Sequence, residues 1–521
     1  MYDTLLMRKL FSIAVLFALL GFSSSMYGQA LARFSPKTDS AGRVHSIMKL
    51  AQKSVDYYTS TFALKGLKPE AQERMHLERC QAYLMLNKFD KAIDDCTAAI
   101  AINPKSTKAY ITRASIYDGI NKSELAIEDC KKAILYSNTA EMKAGLYNLM
   151  AHSYLKLHQY SKAIIADSTA IILNPNLANA YINRAEAYGR SGKCQLAIGD
   201  LSIAMAGYQE KPLILSNLLS YRGDMKRGLK QYKEAINDYS LSLKLNPDNG
   251  ITYWNRAAAY RQNGDYQLAY EGYSKAITYY KNDRMQLAKL YDDRALMEVG
   301  LQQFPQAIVD DSLALALDTA FAEAYYNIAN ARAQNGEYAR SNAGFKKAMY
   351  YYSKNSFAMT AIYGSMGHNE YFLGNYQAAV DYSTKAIELR TVNWSPYFER
   401  GRAYLKLKNN DLAINDFKEV LALDTSKQSN DYAFSLFYTG NPDKAINVMQ
   451  TSFLRTTDSF ILMGDYYNMA CLYSLMNKPE EANTFLKKCI AEGYNKKYAF
   501  TDTDFDNIRN TADFKQIMGI K

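Results

Sequence analysis

The chain of 521 residues has few of the residues that interrupt regular secondary structure. It contains 10 prolines and 26 glycines, and 48% of its residues are hydrophobic. So few prolines and glycines exclude an all-β protein built on frequent turns. The hydrophobic content excludes a disordered chain. The remaining class is a folded, largely helical protein.

Sequence motifs of common catalytic sites are also missing. There is no Gly-rich phosphate loop, no HExxH, no CxxC and no GxSxG. The five histidines have no ligand-like spacing to one another or to a cysteine, so we predict no metal site, no cofactor and no enzymatic activity. They are His45, His76, His152, His158 and His368. We expect His152 and His368 to face solvent on a binding surface.

The six cysteines do not define a disulfide framework. Cys80 and Cys96 lie in one predicted helix pair and on helices that face each other, so a bond between them and a pair of buried thiols are both compatible with the sequence. The sequence favours buried thiols, because small thiols pack well in helical cores.

The net charge of +10 comes from basic residues spread along the chain. No run of five or six like charges occurs, whereas nucleic-acid binding usually shows a concentrated patch or arm. We therefore predict protein or peptide partners and no nucleic acid.

Residues 1–30 resemble a secretory signal peptide. Arg8 and Lys9 precede an apolar run at residues 10–22, and small residues lead to a cleavage point after about Ala30. The alternative is a membrane anchor, but the apolar run is short for a span. The sequence therefore predicts an exported protein of the periplasm, cell surface or extracellular space, without an integral membrane span after cleavage.

Three segments that end in Asn-Pro superpose without gaps, which indicates an internal repeat. They read YLMLNKFDKAIDDCTAAIAINP, YLKLHQYSKAIIADSTAIILNP and MKRGLKQYKEAINDYSLSLKLNP. One small residue of this pattern recurs twelve times. It falls at Ala92, Ala126, Ala163, Ala197, Ala235, Ala269, Ala307, Ser341, Ala379, Ala413, Ala445 and Ala482. Repeat 11 keeps the least of the pattern.

The repeat resembles the tetratricopeptide repeat, a helix-turn-helix unit of about 34 residues. One repeat carries the motif residues Tyr181, Ala185, Tyr188, Ala197 and Ala204. The resemblance implies an all-α, right-handed α-solenoid of about twelve units over residues 73–496. Residues 31–72 are predicted to form an N-terminal helical cap. Residues 497–521 are predicted to form a C-terminal capping helix with four side chains turned inward, namely Phe505, Ile508, Phe514 and Ile517.

The first nine spacings of the small residue alternate between 34 and 37 or 38 residues, which indicates duplication of a two-repeat unit. We expect even repeats to end in longer turns that begin with tyrosine. These tyrosines are Tyr136, Tyr208, Tyr279, Tyr280, Tyr350, Tyr351 and Tyr352. Two interpretations remain: they pack under the turns, which we favour, or they form an aromatic contact stripe.

Seven repeats have an arginine in the first helix, and six of the seven have an aspartate sixteen residues later. The pairs are Arg79–Asp95, Arg113–Asp129, Arg184–Asp200, Arg222–Asp238, Arg294–Asp310 and Arg400–Asp416; Arg256 faces Gly272. A catalytic role is excluded because the pairs recur at regular steps instead of converging in one cleft. The pattern predicts a salt bridge between the two helices of each unit.

In the family that the repeat resembles, the first helix of each unit lines a concave groove, and this implies the candidate binding residues. They are Asn183, Trp254, Asn255, Tyr326, Asn327, Asn330, Phe398, Arg402, Tyr467 and Asn468. An amide can bond both polar groups of an extended peptide, and an aromatic ring supplies apolar contact. The simpler interpretation is that these asparagines are tolerated surface residues.

The resulting functional prediction is a scaffold of the bacterial envelope that binds extended partner segments in this groove. The alternative is a structural subunit of an envelope assembly that uses the convex face or the tyrosine-rich edge, without peptide capture.

Overall fold

A computed structural model describes residues 40–63, 66–389, 392–453, 459–494 and 496–520. All regular secondary structure in these residues is helical, which confirms the all-α prediction. No helix in the described part of the chain is long and apolar enough to cross a bilayer. The predicted signal peptide, residues 1–30, lies outside the described residues. The chain divides into two compact units, Met1–Ala259 and Tyr260–Lys521.

In the described part of the first unit, from residue 40 onward, one helix precedes the helix pairs. Its helices are α1 (Ser40–Thr61), α2 (Pro69–Met85), α3 (Phe89–Ile102), α4 (Thr107–Gly119), α5 (Ser123–Tyr136), α6 (Ala140–Lys156), α7 (Tyr160–Leu173), α8 (Ala178–Arg190), α9 (Cys194–Ala206), α10 (Pro212–Gly228) and α11 (Tyr232–Leu245). Helix α12 (Gly250–Asn263) contains the division between the units.

The second unit continues the pairs. Its helices are α13 (Tyr266–Ile277), α14 (Arg284–Gly300), α15 (Phe304–Leu317), α16 (Ala322–Gln334), α17 (Tyr338–Tyr352), α18 (Ser356–Phe372), α19 (Tyr376–Glu388), α20 (Ser395–Lys406), α21 (Asn410–Leu423), α22 (Asn430–Tyr438), α23 (Pro442–Phe453), α24 (Ser459–Leu475), α25 (Pro479–Ala491), α26 (Lys496–Thr501) and α27 (Ala512–Met518), with a 3₁₀ turn at Thr503–Phe505. Repeats 1 to 12 are the pairs from α2–α3 to α24–α25.

The recurring small residue lies where the two helices of a pair approach each other. All twelve of these side chains, from Ala92 in repeat 1 to Ala482 in repeat 12, are 0% exposed. A larger side chain there would separate the helix axes, which pack about 8–10 Å apart. The predicted repeat positions are therefore confirmed as core positions.

Each repeat makes the turn between its two helices with one residue in the left-handed backbone region. Five of the twelve positions are glycine, the residue that adopts this conformation most easily. Examples are Gly192 at φ 76° and Gly336 at φ 76°. Other repeats use a polar residue, such as Asn121 at φ 61°. This shared conformation explains why the repeats superpose without gaps.

The alternation of the period arises mainly from the length of the first helices. The first helices of repeats 1, 3, 5, 7 and 9 all have 17 residues, whereas those of repeats 2, 4, 6 and 8 have 13 or 14. The prediction of longer turns after even repeats is correct after repeats 4 and 6, where Ala206 is followed by Pro212 and Ile277 by Arg284 as the next helix start. It is wrong after repeats 2 and 8, where the next helix starts four residues after Tyr136 and Tyr352. The added residues form one more helical turn.

The predicted arginine–aspartate pairs are confirmed in all six repeats. Each arginine donates from Nε and Nη2 to the two carboxylate oxygens, as Arg184 does to Asp200 at 2.7 and 2.8 Å. The structure adds a third bond, from Nη1 to a hydroxyl of the preceding helix, such as that from Arg184 to Ser168 at 3.0 Å. Arg256 has glycine, and not aspartate, sixteen residues later, and it donates to Ser240 at 3.3 Å. The arginines thus tie neighbouring repeats together.

The tyrosines at the ends of even repeats mostly pack against the protein. Tyr208 donates to Asn179 at 2.6 Å, and Tyr351 stacks on Tyr325 with ring centroids 5.6 Å apart. Tyr350 differs, because it is 78% exposed. These contacts support the packing interpretation for Tyr208 and Tyr351.

The C-terminal segment differs from the single capping helix that the sequence predicts. It consists of α26, the 3₁₀ turn and α27, because its Asp, Asn and Thr side chains bond nearby backbone and so compete with a continuous helix. Asp502, for example, accepts from the backbone N–H of Asp504. Three of the four predicted inward side chains are 0% exposed, namely Phe505, Ile508 and Phe514; Ile517 is half-buried.

Candidate functional site

The predicted asparagine series lies on the first helices, and two of its amide groups, those of Asn255 and Asn327, already have partners inside the protein. In the first unit Asn255 donates from Nδ2 to Asp224 at 3.0 Å. In the second unit Asn327 donates to Asp292 at 2.7 Å. Each bond joins the first helices of successive repeats. Each bond occupies one of the two N–H groups of the amide, so the expected set of donors for a bound peptide is reduced by one at each asparagine.

The other predicted residues of the central repeats are half-buried side chains of the first helices. Trp254 and Asn183 have this exposure in the first unit, and Tyr326 and Asn330 have it in the second. The ring of Tyr326 packs edge-on against Phe345, with centroids 5.7 Å apart. Tyr326 thus contributes to the packing of its repeat as well as to its surface.

The side chains of His152 and His368 are 44% and 42% exposed, in agreement with the expectation that they face solvent, but each has an acidic partner. His152 Nδ1 lies 2.9 Å from a carboxylate oxygen of Asp118, and His368 Nδ1 lies 2.8 Å from Glu399. Each pair again joins the first helices of neighbouring repeats. An imidazole beside a carboxylate forms a charge-assisted hydrogen bond when the imidazole is protonated.

Four predicted residues come together in one pocket of about 290 Å³ in the second unit. We call it the C-terminal pocket. It is lined by His368, Phe372, Phe398, Glu399, Arg402, Asn430, Asp431, Phe434, Tyr438, Tyr467, Asn468, Cys471, Asp502 and Asp504. The lining residues in repeats 9 to 12 all belong to first helices, α18, α20, α22 and α24. The remaining two, Asp502 and Asp504, come from the C-terminal segment.

Arg402 is the central cation of the C-terminal pocket. Its guanidinium lies over the ring of Tyr371, 4.2 Å from the centroid, and the residue is 9% exposed. Its nearest carboxylate oxygens, on Glu399 and Asp504, are 3.8 and 3.9 Å away. These distances exceed a hydrogen bond, so the ion pairs of Arg402 are loose.

The carboxyl groups of the pocket differ in ionisation. Burial raises the pKa of Asp431 to about 7, and the nearby charge of Glu399 adds to the effect. Burial likewise raises the pKa of Asp504 to about 6, although Arg402 opposes it. Burial alone would raise the pKa of Glu399. The neighbouring His368 and Arg402 together lower this pKa by a larger amount, so it lies below its usual range. Of these three groups, Glu399 is therefore the one whose ionised form is favoured.

Cys471, Asp502 and Asp504 form a group whose possible ligand atoms lie within 4.8 Å of one another. Asp502 is already engaged, because it accepts a hydrogen bond from the Tyr467 hydroxyl at 2.6 Å. Burial raises the pKa of the Cys471 thiol well above its usual value, so the thiolate that a metal needs is disfavoured. The guanidinium of Arg402 lies 3.9 Å from a carboxylate oxygen of Asp504 and partly neutralises that carboxylate.

Sequence reasoning missed the acidic side of this pocket. Glu399 occupies the position that is asparagine in other repeats, and this substitution was the one local signal. Asp502 and Asp504 reach the pocket through the path of the C-terminal segment, which no repeat pattern specifies. Asp431 lies in repeat 11, where the pattern is weakest.

Comparison with known proteins agrees with the helix pairs. Sequence models described as tetratricopeptide repeat match residues 107–139, 360–393, 395–427 and 466–491, and one described as TPR repeat matches residues 223–264. Human tetratricopeptide repeat protein 6 is 26% identical over 199 residues, 37% of this chain and 36% of that protein. Human tetratricopeptide repeat protein 13 is 27% identical over 177 residues, 33% of this chain and 20% of that protein. The matched segments thus span about a third and a fifth of those curated relatives.

A solved structure with similar helices is the C-terminal part of a TPR repeat-containing protein from Cytophaga hutchinsonii. It is 20% identical, covers 48% of this chain and 99% of its own, and has a TM-score of 0.42. The matched repeats and the twelve helix pairs together identify this chain as a member of the tetratricopeptide-repeat family.

Proposed function

We propose that this chain is a non-catalytic scaffold that holds extended segments of partner proteins against the first helices of its repeats. The observation that carries the proposal is the composition of the C-terminal pocket. First helices of four successive repeats supply its aromatic, charged and amide side chains. A surface that continues from repeat to repeat suits an extended segment.

The second helices offer less support for a binding surface. The tyrosines that would form a contact edge are partly used in packing, as Tyr208 and Tyr351 are. A structural subunit that binds through this edge would instead present a continuous row of exposed rings. The packing therefore favours the first-helix surface over the edge.

We further propose that the scaffold acts in the bacterial envelope, in the periplasm or at the cell surface. This rests on the charged and apolar pattern of residues 1–30. Partners in that compartment would be other exported proteins.

A selection of random twelve-residue peptides displayed on phage tests the binding mode. The full chain without residues 1–30 is immobilised, and selected peptides are measured again with three variants. We expect Asn255→Ala or Tyr326→Ala to weaken the selected peptides, and Tyr350→Ala, at an exposed edge position, to leave them unchanged. The proposal would be contradicted if the peptides lost affinity only for Tyr350→Ala, or if the selection gave no binding peptides.

A further inference from the structure

The C-terminal pocket has more carboxyl groups than cations. Four acids line it, whereas Arg402 and His368 are the basic side chains. The four acids are Glu399, Asp431, Asp502 and Asp504. Carboxylates placed together without enough cations repel each other, so an added positive charge would stabilise the group.

Two of these acids are incompletely paired although they are almost fully buried. Glu399 is 8% exposed, and its Oε2 atom has no hydrogen-bond partner among the described residues. Asp504 is 9% exposed; its carboxylate forms a loose ion pair with Arg402, at 3.9 Å, and Lys406 lies near enough to lower its pKa. A buried acceptor without a donor is costly. Such atoms beside a pocket indicate that a ligand supplies the missing donors.

The walls of the pocket also suit a cation. Phe434, Tyr438 and Tyr467 line it, and a cation over an aromatic ring is attracted by the negative face of the ring. Tyr371 and Phe372 already hold the guanidinium of Arg402 in this way, at 4.2 and 5.7 Å. The same kind of wall therefore recognises a cation within this unit of the protein.

The size of the pocket limits the ligand to one group. Sites for small molecules usually enclose about 300–1,000 Å³, and this pocket of about 290 Å³ lies just below that range. It would therefore take a single side chain more readily than a whole cofactor.

From charge, unpaired acceptors, aromatic walls and size, we propose that the C-terminal pocket binds one lysine or arginine side chain of the captured partner segment. The ammonium or guanidinium lies between Glu399 and Asp504, and the aliphatic part contacts the aromatic walls. This inference rests on the proposed capture of peptides and adds the residue that anchors them. It does not depend on where in the cell the protein acts.

Three peptide libraries test this inference on the full chain without residues 1–30. Each contains nine-residue peptides of random uncharged residues, with blocked termini and a fixed central lysine, norleucine or glutamate. Binding is measured by fluorescence anisotropy. We expect the lysine library to bind at least about tenfold more tightly than the norleucine library, and the glutamate library to bind most weakly.

Variants locate this preference in the pocket. The double variant Glu399→Gln/Asp504→Asn should reduce the advantage of lysine over norleucine to less than about twofold. The control Glu419→Gln removes an exposed carboxylate of α21 outside the pocket and should keep the full advantage. If melting shows that the double variant does not fold, Asn468→Lys provides a second test. Its ammonium would occupy the pocket and exclude the peptide lysine, so the lysine advantage should again be lost.

The outcomes separate the inference from the proposed function. Equal binding of the lysine and norleucine libraries to the wild type overturns the inference while peptide capture stands. A lysine advantage that persists in the double variant and in Asn468→Lys also overturns it, since another surface then recognises the charge. Loss of the advantage on adding EDTA overturns it in favour of a metal at Cys471, Asp502 and Asp504. Failure of all three libraries contradicts peptide capture itself.

Discussion

Arg184 in the first helix of repeat 4 bonds both carboxylate oxygens of Asp200 in the second helix, at 2.7 and 2.8 Å. The same guanidinium donates to Ser168 of repeat 3 at 3.0 Å. One side chain thus connects three helices of two repeats. Because stability in a repeat protein is roughly a sum of repeat and neighbour terms, this arginine contributes to both.

Removing the arginine alone should destabilise the protein strongly. Arg184→Ala leaves the buried carboxylate of Asp200 without its cation, and breaking a buried pair in this way typically costs about 3–5 kcal/mol. Denaturant unfolding of the full chain and of the variant measures this difference.

A double-mutant cycle separates the pair from its parts. Replacing both residues with apolar ones, as in Arg184→Met/Asp200→Leu, should cost much less than the sum of the single changes, because no uncompensated charge remains. Ser168→Ala should cost only about 1 kcal/mol, the loss of one hydrogen bond. Single costs that add in the double variant would show that the two residues do not act as a pair.

A buried carboxyl group in repeat 3 predicts a pH dependence of stability. Asp167 is 0% exposed; it accepts one bond from Asn148 at 2.9 Å, and its second oxygen has no partner among the described residues. Burial raises its pKa from 3.8 to about 8. The folded chain therefore keeps a proton that the unfolded chain loses, and stability falls as pH rises through this range.

Asp167→Asn should remove this dependence. Relative to the wild type, the variant should gain stability progressively from pH 4 to pH 8, by an amount on the order of a few kcal/mol, and gain no more above that range. Thermal melting at several pH values checks the difference between the two proteins. Glu128→Gln, at an exposed position of α5, is the control that should follow the wild type at every pH. A constant difference between Asp167→Asn and the wild type would mean that Asp167 is ionised in the folded protein.

Local features of the sequence were sufficient to predict the helix pairs, the buried small residues and the arginine–aspartate bridges. All of these depend on spacing within one repeat, as Arg184 and Asp200 do. The C-terminal pocket could not be predicted in full, because Asp502 and Asp504 come from a segment outside the repeat. The partners of Asn255 and Asn327 were also missed, since Asp224 and Asp292 lie in the preceding repeats at two different repeat positions.

The aromatic residues of the first helices should carry much of the energy of partner binding. Trp254→Ala is expected to weaken the binding of a selected peptide at least about tenfold, or roughly 1.4 kcal/mol. Melting should change less than for Ala269→Leu, which forces a larger side chain into a position that is 0% exposed. Isothermal titration calorimetry gives the affinities. Unchanged affinity of Trp254→Ala, together with loss of binding in Tyr280→Ala or Tyr351→Ala, would favour the tyrosine edge.

Export is predicted from residues 1–30. We expect the mature protein outside the cytoplasm, with its N-terminus near Leu31. Cell fractionation followed by N-terminal sequencing measures both properties. An intact N-terminus on a cytoplasmic pool would contradict the prediction, and Arg8→Glu/Lys9→Glu should retain the precursor by removing the positive charge that a signal peptide needs.

Site-specific photo-crosslinking in intact cells tests most directly whether partners lie on the first helices. A photoreactive phenylalanine analogue replaces Asn255, Tyr326 or His368 on first helices, and Ile165, Ile203 or Tyr350 at exposed positions of second helices, where 67%, 53% and 78% of the side chains are accessible. The account predicts crosslinked partner segments at the first three positions and few at the others. Crosslinks found only at Ile165, Ile203 or Tyr350 would contradict it.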